Sequence, residues 1–340
     1  MFQTEPILFL QQFAGEGLTW AMRAITALGY PPFFFVALTV VMFGVDLRRG
    51  FVLAQFVMWT DVLTELAKAF FALPRPSDVD SGVRLLETGR TNATPWTGKG
   101  APGFLALPDR EAVAWLRAQA GPSFGLPSGH VSVTTVFWGG LSAVFRRRAV
   151  LAFATVVVPL MALSRMYLGR HFLGDVLAGG ALGALVVLLG SRLFVGEGAP
   201  LPLLRPRASG WEGAALLAFL LVLPVLILFL GSHGDAERAG RLLGLNLAYL
   251  LVTAKGLPEG GGTTARRAAR VAVALVLGVA VALAAQVLAP LAPAGGTRMG
   301  AFARGLVPTF VLLWGGVLAC RRLGLYGPAQ TPYQAPSQPA

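Results

Sequence analysis

Nine apolar runs, roughly 31–46, 51–73, 128–145, 149–166, 174–195, 211–231, 241–255, 271–291 and 301–320, divide this chain of 340 residues. Several approach the ~20 residues that a helix needs to cross the hydrocarbon of a bilayer. Charge content agrees with that reading. Only 13% of the residues are charged and 55% are hydrophobic, with a mean hydropathy of +0.66, whereas soluble domains carry roughly 25% charged residues. The expected fold is all-α: a polytopic integral membrane protein with about nine transmembrane helices. The opening MFQTEP has no basic segment, so no cleaved signal peptide is expected. The one cysteine, Cys320, allows no internal disulfide and reads as a small core residue.

The formal net charge of +12 would suit nucleic acid, but its placement points elsewhere. Arg48 and Arg49; Arg146, Arg147 and Arg148; Arg192, Arg205 and Arg207; Lys255, Arg266, Arg267 and Arg270; and Arg321 and Arg322 fall in alternate connections. The opposite short connections offer Arg238, Arg241, Arg298 and Arg304. The positive-inside rule puts the first set in the cytoplasm. Basic loops then account for the charge, and no nucleic-acid partner is expected.

The segment from Ile7 to Gly29 holds Glu16 and Arg23 in an otherwise apolar pattern. It reads as an N-terminal interfacial amphipathic helix or as a further transmembrane span. Between Leu73 and Gly129 the hydropathy fails, leaving an outer loop over 77–126. Within it DREAVAWLRAQA suggests a short helix capped by Asp109, with Trp115 and Leu116 dipping into the interface. Long loops in compact folds are often functional, so a lid beside a site is one reading of this segment and a solvated loop the other. His233 reads as a loop residue. The Pro-, Gln- and Ala-rich stretch 326–340 is expected to be disordered. No internal repeat is evident.

Three polar islands interrupt the apolar pattern: KAFFALPRP, Lys68 to Pro76; PSGH, Pro127 to His130; and SRMYLGRHFLGD, Ser164 to Asp175. Charge phase puts all three on the outer side. Lys68 and Arg75 are two helical turns apart and would share a face until Pro74 and Pro76 end the helix. Arg75 and Arg165 offer planar forks suited to phosphate oxygens. Ser128 and Gly129 would open a helix whose free N–H groups favour an anion. His171 and Asp175, four apart, would share a helical face, so the carboxylate can fix the imidazole tautomer. The other ring nitrogen is then a nucleophile, and His130 could protonate a leaving oxygen. Charges inside membrane segments are costly and mark function. Asp61 and Glu65 fall on the Lys68 face and would pair with it or line a polar cavity beneath the site. Arg170 could touch substrate or the membrane surface.

Lys68-x6-Arg75-Pro76, Pro127-Ser128-Gly129-His130 and Ser164-Arg165-x5-His171-x3-Asp175 resemble the three signature motifs of the type 2 phosphatidic acid phosphatase (PAP2) superfamily. All signature positions are present in order. The resemblance implies that His171 forms a phosphohistidine, that Asp175 orients it, and that His130 protonates the leaving alkoxide and then activates water. Lys68, Arg75, Arg165, Ser128 and Gly129 would hold the phosphoryl oxygens. No metal and no cofactor are implied. The layout would be an N-terminal helix over 1–30, a PAP2 core over 31–195 and a C-terminal four-helix extension over 196–325. That layout is similar to those of sphingosine-phosphate phosphatase and glucose-6-phosphatase. The Ala- and Gly-rich C-terminal helices would serve as scaffold or homodimer surface.

The function expected on these grounds is a metal-independent lipid phosphate phosphatase, acting on phosphatidic acid, sphingosine-phosphate, phosphatidylglycerophosphate or prenyl diphosphate. It would sit in a bacterial inner membrane with its site facing the periplasm or exterior, its partners being the lipid phosphate substrate and membrane lipids. Two alternatives are a phosphatase of a soluble ester such as a sugar phosphate, and a non-catalytic lipid-phosphate binder or transporter. The complete His130, His171 and Asp175 set weighs against the last, since binding alone needs only the cations.

Overall fold

The structure is a computed structural model that describes residues 1–195, 210–231, 233–288 and 296–327. Among these residues the regular elements are helices, with one isolated bridge between Leu85 and Arg90. In chain order they are α1 (Glu5–Gln12), α2 (Glu16–Ala27), α3 (Pro31–Thr39, continued by π-turns to Val45), α4 (Leu47–Phe71), α5 (Pro76–Val79), α6 (Arg110–Arg117), α7 (Gly129–Phe145) and α8 (Arg148–Tyr167). Then come α9 (Leu173–Gly190), α10 (Gly210–Leu217), α11 (Leu223–Leu230), α12 (His233–Ala254), α13 (Thr264–Leu288), α14 (Arg298–Phe310) and α15 (Gly316–Arg322).

Each of the nine apolar runs lies on helix within the described residues. Among the described residues five helical stretches are long and apolar enough to cross a membrane: Arg148–Tyr167, Leu173–Val195, Gly210–Leu230, Thr264–Val287 and Arg298–Arg322. A sixth is reached if Glu16–Ala27 and Pro31–Val45, bent by 51°, are one broken span. The remaining helices stop short of that description for local reasons. α7 has 17 residues, while α4 carries Asp61, Glu65 and Lys68, and α12 carries Asp235, Glu237, Arg238 and Arg241. His233, expected in a loop, is the first residue of α12. The N-terminal stretch is two helices rather than one, broken before Gly15.

The chain divides into two compact units. The first comprises Met1–Phe34 and Leu63–Leu189, and the second Phe35–Val62 and Gly190–Ala340. In the first unit one apolar core takes Ile7 from α1, Val79 from α5, Ala112 from α6, Val131 from α7, Met161 from α8 and Val176 from α9. The segment over 77–126, expected on the outer side, is therefore built onto the helices. Asn92 Nδ2 donates to the carbonyls of Asp80 and Val83 at 2.9 and 3.0 Å, and Thr4 Oγ1 to Asp80 Oδ2 at 3.0 Å. Asp109 caps α6, accepting from the N–H of Glu111 at 2.9 Å and of Ala112 at 3.4 Å. Leu116 is buried and Trp115 packs edge-on to Trp96, ring centroids 6.4 Å apart, so these two side chains pack within the segment instead of facing an interface.

In the second unit Gln55 of α4 donates to Asn246 of α12 at 2.6 Å, Asn246 donates to the Leu220 carbonyl at 2.7 Å, and the Phe51 and Tyr249 rings stack at 3.7 Å. Helices α12 and α14 approach closely through glycine. A Cβ at Gly240 would stand 2.0 Å from the Phe302 oxygen, and one at Gly305 would stand 2.0 Å from the Glu237 oxygen, contacts that only a missing side chain permits. Arg270, assigned from sequence to a basic loop, is wholly buried. Its guanidinium donates to the carbonyls of Phe43, Gly260, Gly261 and Leu325 and lies over the Tyr326 ring at 4.8 Å. A buried guanidinium tolerates that position because its donors are used. Tyr326, expected in the disordered tail, is buried there; the tail from 328 onward, Arg205 and Arg207 lie outside the described residues.

Candidate active site

The three polar islands all fall in the first unit and meet at one set of helix ends: the last turn of α4, the start of α7, the last turn of α8 and the start of α9. The Ser128 N–H donates to the Asp175 carbonyl at 2.9 Å, and the hydroxyls of Thr64 and Ser132 share a hydrogen bond of 2.9 Å. Backbone contact fixes α9 against the PSGH turn, since a Cβ at Gly179 would stand 2.5 Å from the Ser128 oxygen. α8 stops after Tyr167 because Gly169 turns the chain at φ +76°, a conformation glycine adopts without penalty. That turn frees Arg170, His171 and Phe172 from helix geometry.

His171 and Asp175 do meet, though not along a helical face. His171 precedes α9, and Asp175 in the first turn reaches back to it. Asp175 Oδ2 lies 3.3 Å from His171 Nδ1 and accepts from the Phe172 N–H at 2.9 Å. Both side chains are buried. Burial, followed by the positive charges of Arg75, Arg165 and Lys68 and the nearby His130, holds the His171 pKa well below its ordinary value. The imidazole is thus neutral at neutral pH, with one ring nitrogen directed at the carboxylate. The same interactions place those four residues around His171.

Arg75 and Lys68 are not on one helix. α4 ends at Phe71, Ala72 takes a left-handed conformation at φ +47°, and Arg75 is the residue that caps α5. The prolines act one turn earlier than the spacing suggests. Arg75 still reaches the site. Its guanidinium donates to Ser123 at 3.1 and 3.3 Å, and burial plus the charges of Arg170 and Arg165 lower its pKa. Lys68 Nζ pairs with Glu65 at 2.7 Å. Asp61, also expected to pair with Lys68, instead meets Arg238 at 3.0 Å within the second unit. Lys68 Nζ lies 3.7 Å from where a Cβ at Gly129 would be, beside the first turn of α7. Arg165 is 2% exposed and donates from Nη1 to Thr26 Oγ1 at 2.7 Å and to Glu87 Oε1 at 2.8 Å.

Three of these neighbours escape sequence reasoning. Glu87, from the outer segment, pairs with Arg165 and also with Arg170 at 2.7 Å. Tyr30 donates its hydroxyl to Glu87 and stands edge-on to the His130 ring, centroids 4.6 Å apart. Thr26 holds Arg165. No spacing rule connects residues 26, 30 and 87 to residues 130 and 165. A lone acidic residue in a polar loop carries no signal of its own. Burial works to raise the Glu87 pKa, but Arg165, Tyr30 and Arg170 outweigh it and hold the carboxyl below its usual range, so it is ionised at neutral pH.

Among the described residues, Ser128 Oγ, His130 Nε2 and Arg165 Nε are buried without a hydrogen-bond partner. Buried polar atoms of this kind call for a polar ligand or a stated reason. All three are donors or can become so. The described residues include no group of three or more His, Cys, Asp and Glu placed to hold a metal.

Fold and site together describe a helical, membrane-type protein with a buried histidine beside a carboxylate and near several cationic side chains. Residues 49–198 match the model of the PAP2 superfamily. Members of that superfamily are phosphatases. The match suggests phosphatase activity, and the long apolar helices are consistent with an integral membrane protein. No curated protein and no solved structure matches the chain.

Proposed function

We propose that the protein is a membrane phosphatase that hydrolyses a lipid phosphate ester through a phosphohistidine, without a metal ion. The observation that carries this reading is the buried His171, whose Nδ1 lies 3.3 Å from Asp175 Oδ2; the positive charges of Arg75, Arg165 and Lys68 act on it. In the scheme His171 Nδ1–H donates to Asp175, and Nε2 attacks phosphorus. The P–O bond to the alcohol breaks as the P–N bond forms, and His130 gives the departing oxygen its proton. Water then attacks the phosphohistidine, passing a proton to His130. His171 is released, and the sum is one ester plus one water giving one alcohol plus one phosphate. The three cations and the N–H groups opening α7 stabilise the equatorial oxygens. A site at helix ends between membrane-type helices suits a substrate that enters sideways from a bilayer.

The test is phosphate release from phosphatidic acid by the purified protein in detergent, with and without EDTA. Turnover that survives EDTA and disappears in His171→Ala supports the scheme. Strict dependence on added Mg²⁺, or undiminished turnover in His171→Ala, contradicts it.

A further inference from the structure

The N-terminal helices and one acidic residue of the outer segment lie outside the reading given so far. Only residues 49–198 match the superfamily model, and Thr26 and Tyr30 precede them. Yet both touch groups assigned to phosphate chemistry. Thr26 Oγ1 and Glu87 Oε1 both accept from a single nitrogen of Arg165, Nη1, at 2.7 and 2.8 Å. Arg165 Nε, on another edge of the same planar fork, is buried and has no partner among the described residues. Two acceptors therefore pin one corner of the guanidinium, and a rigid plane fixed at one corner has its remaining donors fixed as well. Glu87 is held in turn by Arg170 at 2.7 Å and by the Tyr30 hydroxyl. The chain around it is tied down by Arg23 Nε, which donates to the Leu86 carbonyl at 2.9 Å, and by Gln11, which donates to the Arg84 carbonyl at 2.8 Å.

We propose that Glu87, supported by Thr26 and Tyr30, is a positioning residue that orients Arg165 for a tetrahedral oxyanion, so that the N-terminal helices and the outer segment complete the active site. The inference rests on the phosphatase reading for its substrate, but its geometry concerns anion binding alone. Sign separates it from simple electrostatics. Glu87 is negative. If it acted only through its charge, removing it would make the pocket more positive and tighten any anion. If it orients Arg165, removing it loosens the fork and weakens the anion in spite of the added positive charge.

The experiment measures orthovanadate binding to the full-length protein in detergent, alongside KM and kcat for phosphatidic acid. Glu87→Ala is expected to weaken vanadate and raise KM roughly tenfold, the scale of one charge-assisted hydrogen bond. Glu87→Gln, which keeps an acceptor for Nη1, should retain most of the affinity. Thr26→Val should shift both quantities in the same direction by a smaller factor. Unchanged or tighter vanadate binding in Glu87→Ala overturns the proposal. If that variant does not fold, Thr26→Val decides it, and wild-type affinity there is the adverse result. A wild type that binds vanadate but releases no phosphate would defeat the phosphatase reading alone, and the vanadate series would still decide the role of Glu87.

Discussion

The Asp175 carboxylate reaches back from the first turn of α9 to place Oδ2 3.3 Å from Nδ1 of His171, with both residues buried. The same oxygen accepts from the Phe172 N–H, so the carboxylate is held by the backbone as well as by the ring. Replacing it with a near-isosteric amide should leave the fold and remove the anchor. Asp175→Asn is expected to lower kcat by about two to four orders of magnitude while eluting as wild type on size exclusion. His171→Ala should abolish turnover yet still bind vanadate, because the three cations remain. Loss of vanadate binding together with activity would indicate that His171 supports the pocket and does not attack.

His130 is assigned two proton transfers, and they can be separated. His130→Ala should slow phosphate release roughly 10²–10⁴-fold. Acid quenching after exposure to labelled substrate should then trap more phosphoenzyme than in wild type, if hydrolysis suffers more than attack. Slower phosphoenzyme formation with unchanged hydrolysis, and so no trapped label, would confine His130 to the first.

The depressed pKa of His171 makes a statement about pH and stability. In the unfolded chain this imidazole takes up a proton as pH falls through about 6.5. In the folded protein it stays neutral well below that. The unfolded state therefore binds more protons over that window, and folding stability falls as pH drops from about 7 toward 5. The slope reaches at most about 1.4 kcal/mol per pH unit from this one group. Thermal unfolding of wild type and His171→Gln across that range should diverge, with wild type losing more on the acid side. Parallel curves would mean that His171 is not held neutral.

Contact between α9 and the PSGH turn depends on the absence of a side chain at Gly179, where a Cβ would stand 2.5 Å from the Ser128 oxygen. Gly179→Ala should push the start of α7 away from Asp175. A cost of about 1–3 kcal/mol in stability is expected, with kcat falling more than KM rises. Normal kinetics with full stability would show that this approach is dispensable.

Much of the site could be read from sequence because its chemistry is written in short, local spacings. His171 and Asp175 are four residues apart, and Ser128, Gly129 and His130 are consecutive. Each island carries its own signal whatever surrounds it. The details of geometry were less legible. Lys68 and Arg75 share a register on paper, but the left-handed turn at Ala72 ends the helix between them, and nothing in the pattern marks an alanine for that role. Asp61 and Glu65 look equivalent as partners for Lys68 until the long-range contact with Arg238 separates them. Glu87, Thr26 and Tyr30 reach Arg165 and His130 only through tertiary packing. Of the nine expected spans, five helical stretches among the described residues are long and apolar enough to cross a membrane. Helices α4 and α12 carry several charges, one pair of which, Asp61 and Arg238, is distant in sequence.

Helix α4 runs unbroken from Leu47 to Phe71, yet its residues through Val62 belong to one unit and those from Leu63 to the other. Within the second unit Phe51, Gln55 and Asp61 of that helix engage Tyr249, Asn246 and Arg238. A chain stopped at residue 195 would leave those three side chains without their counterparts.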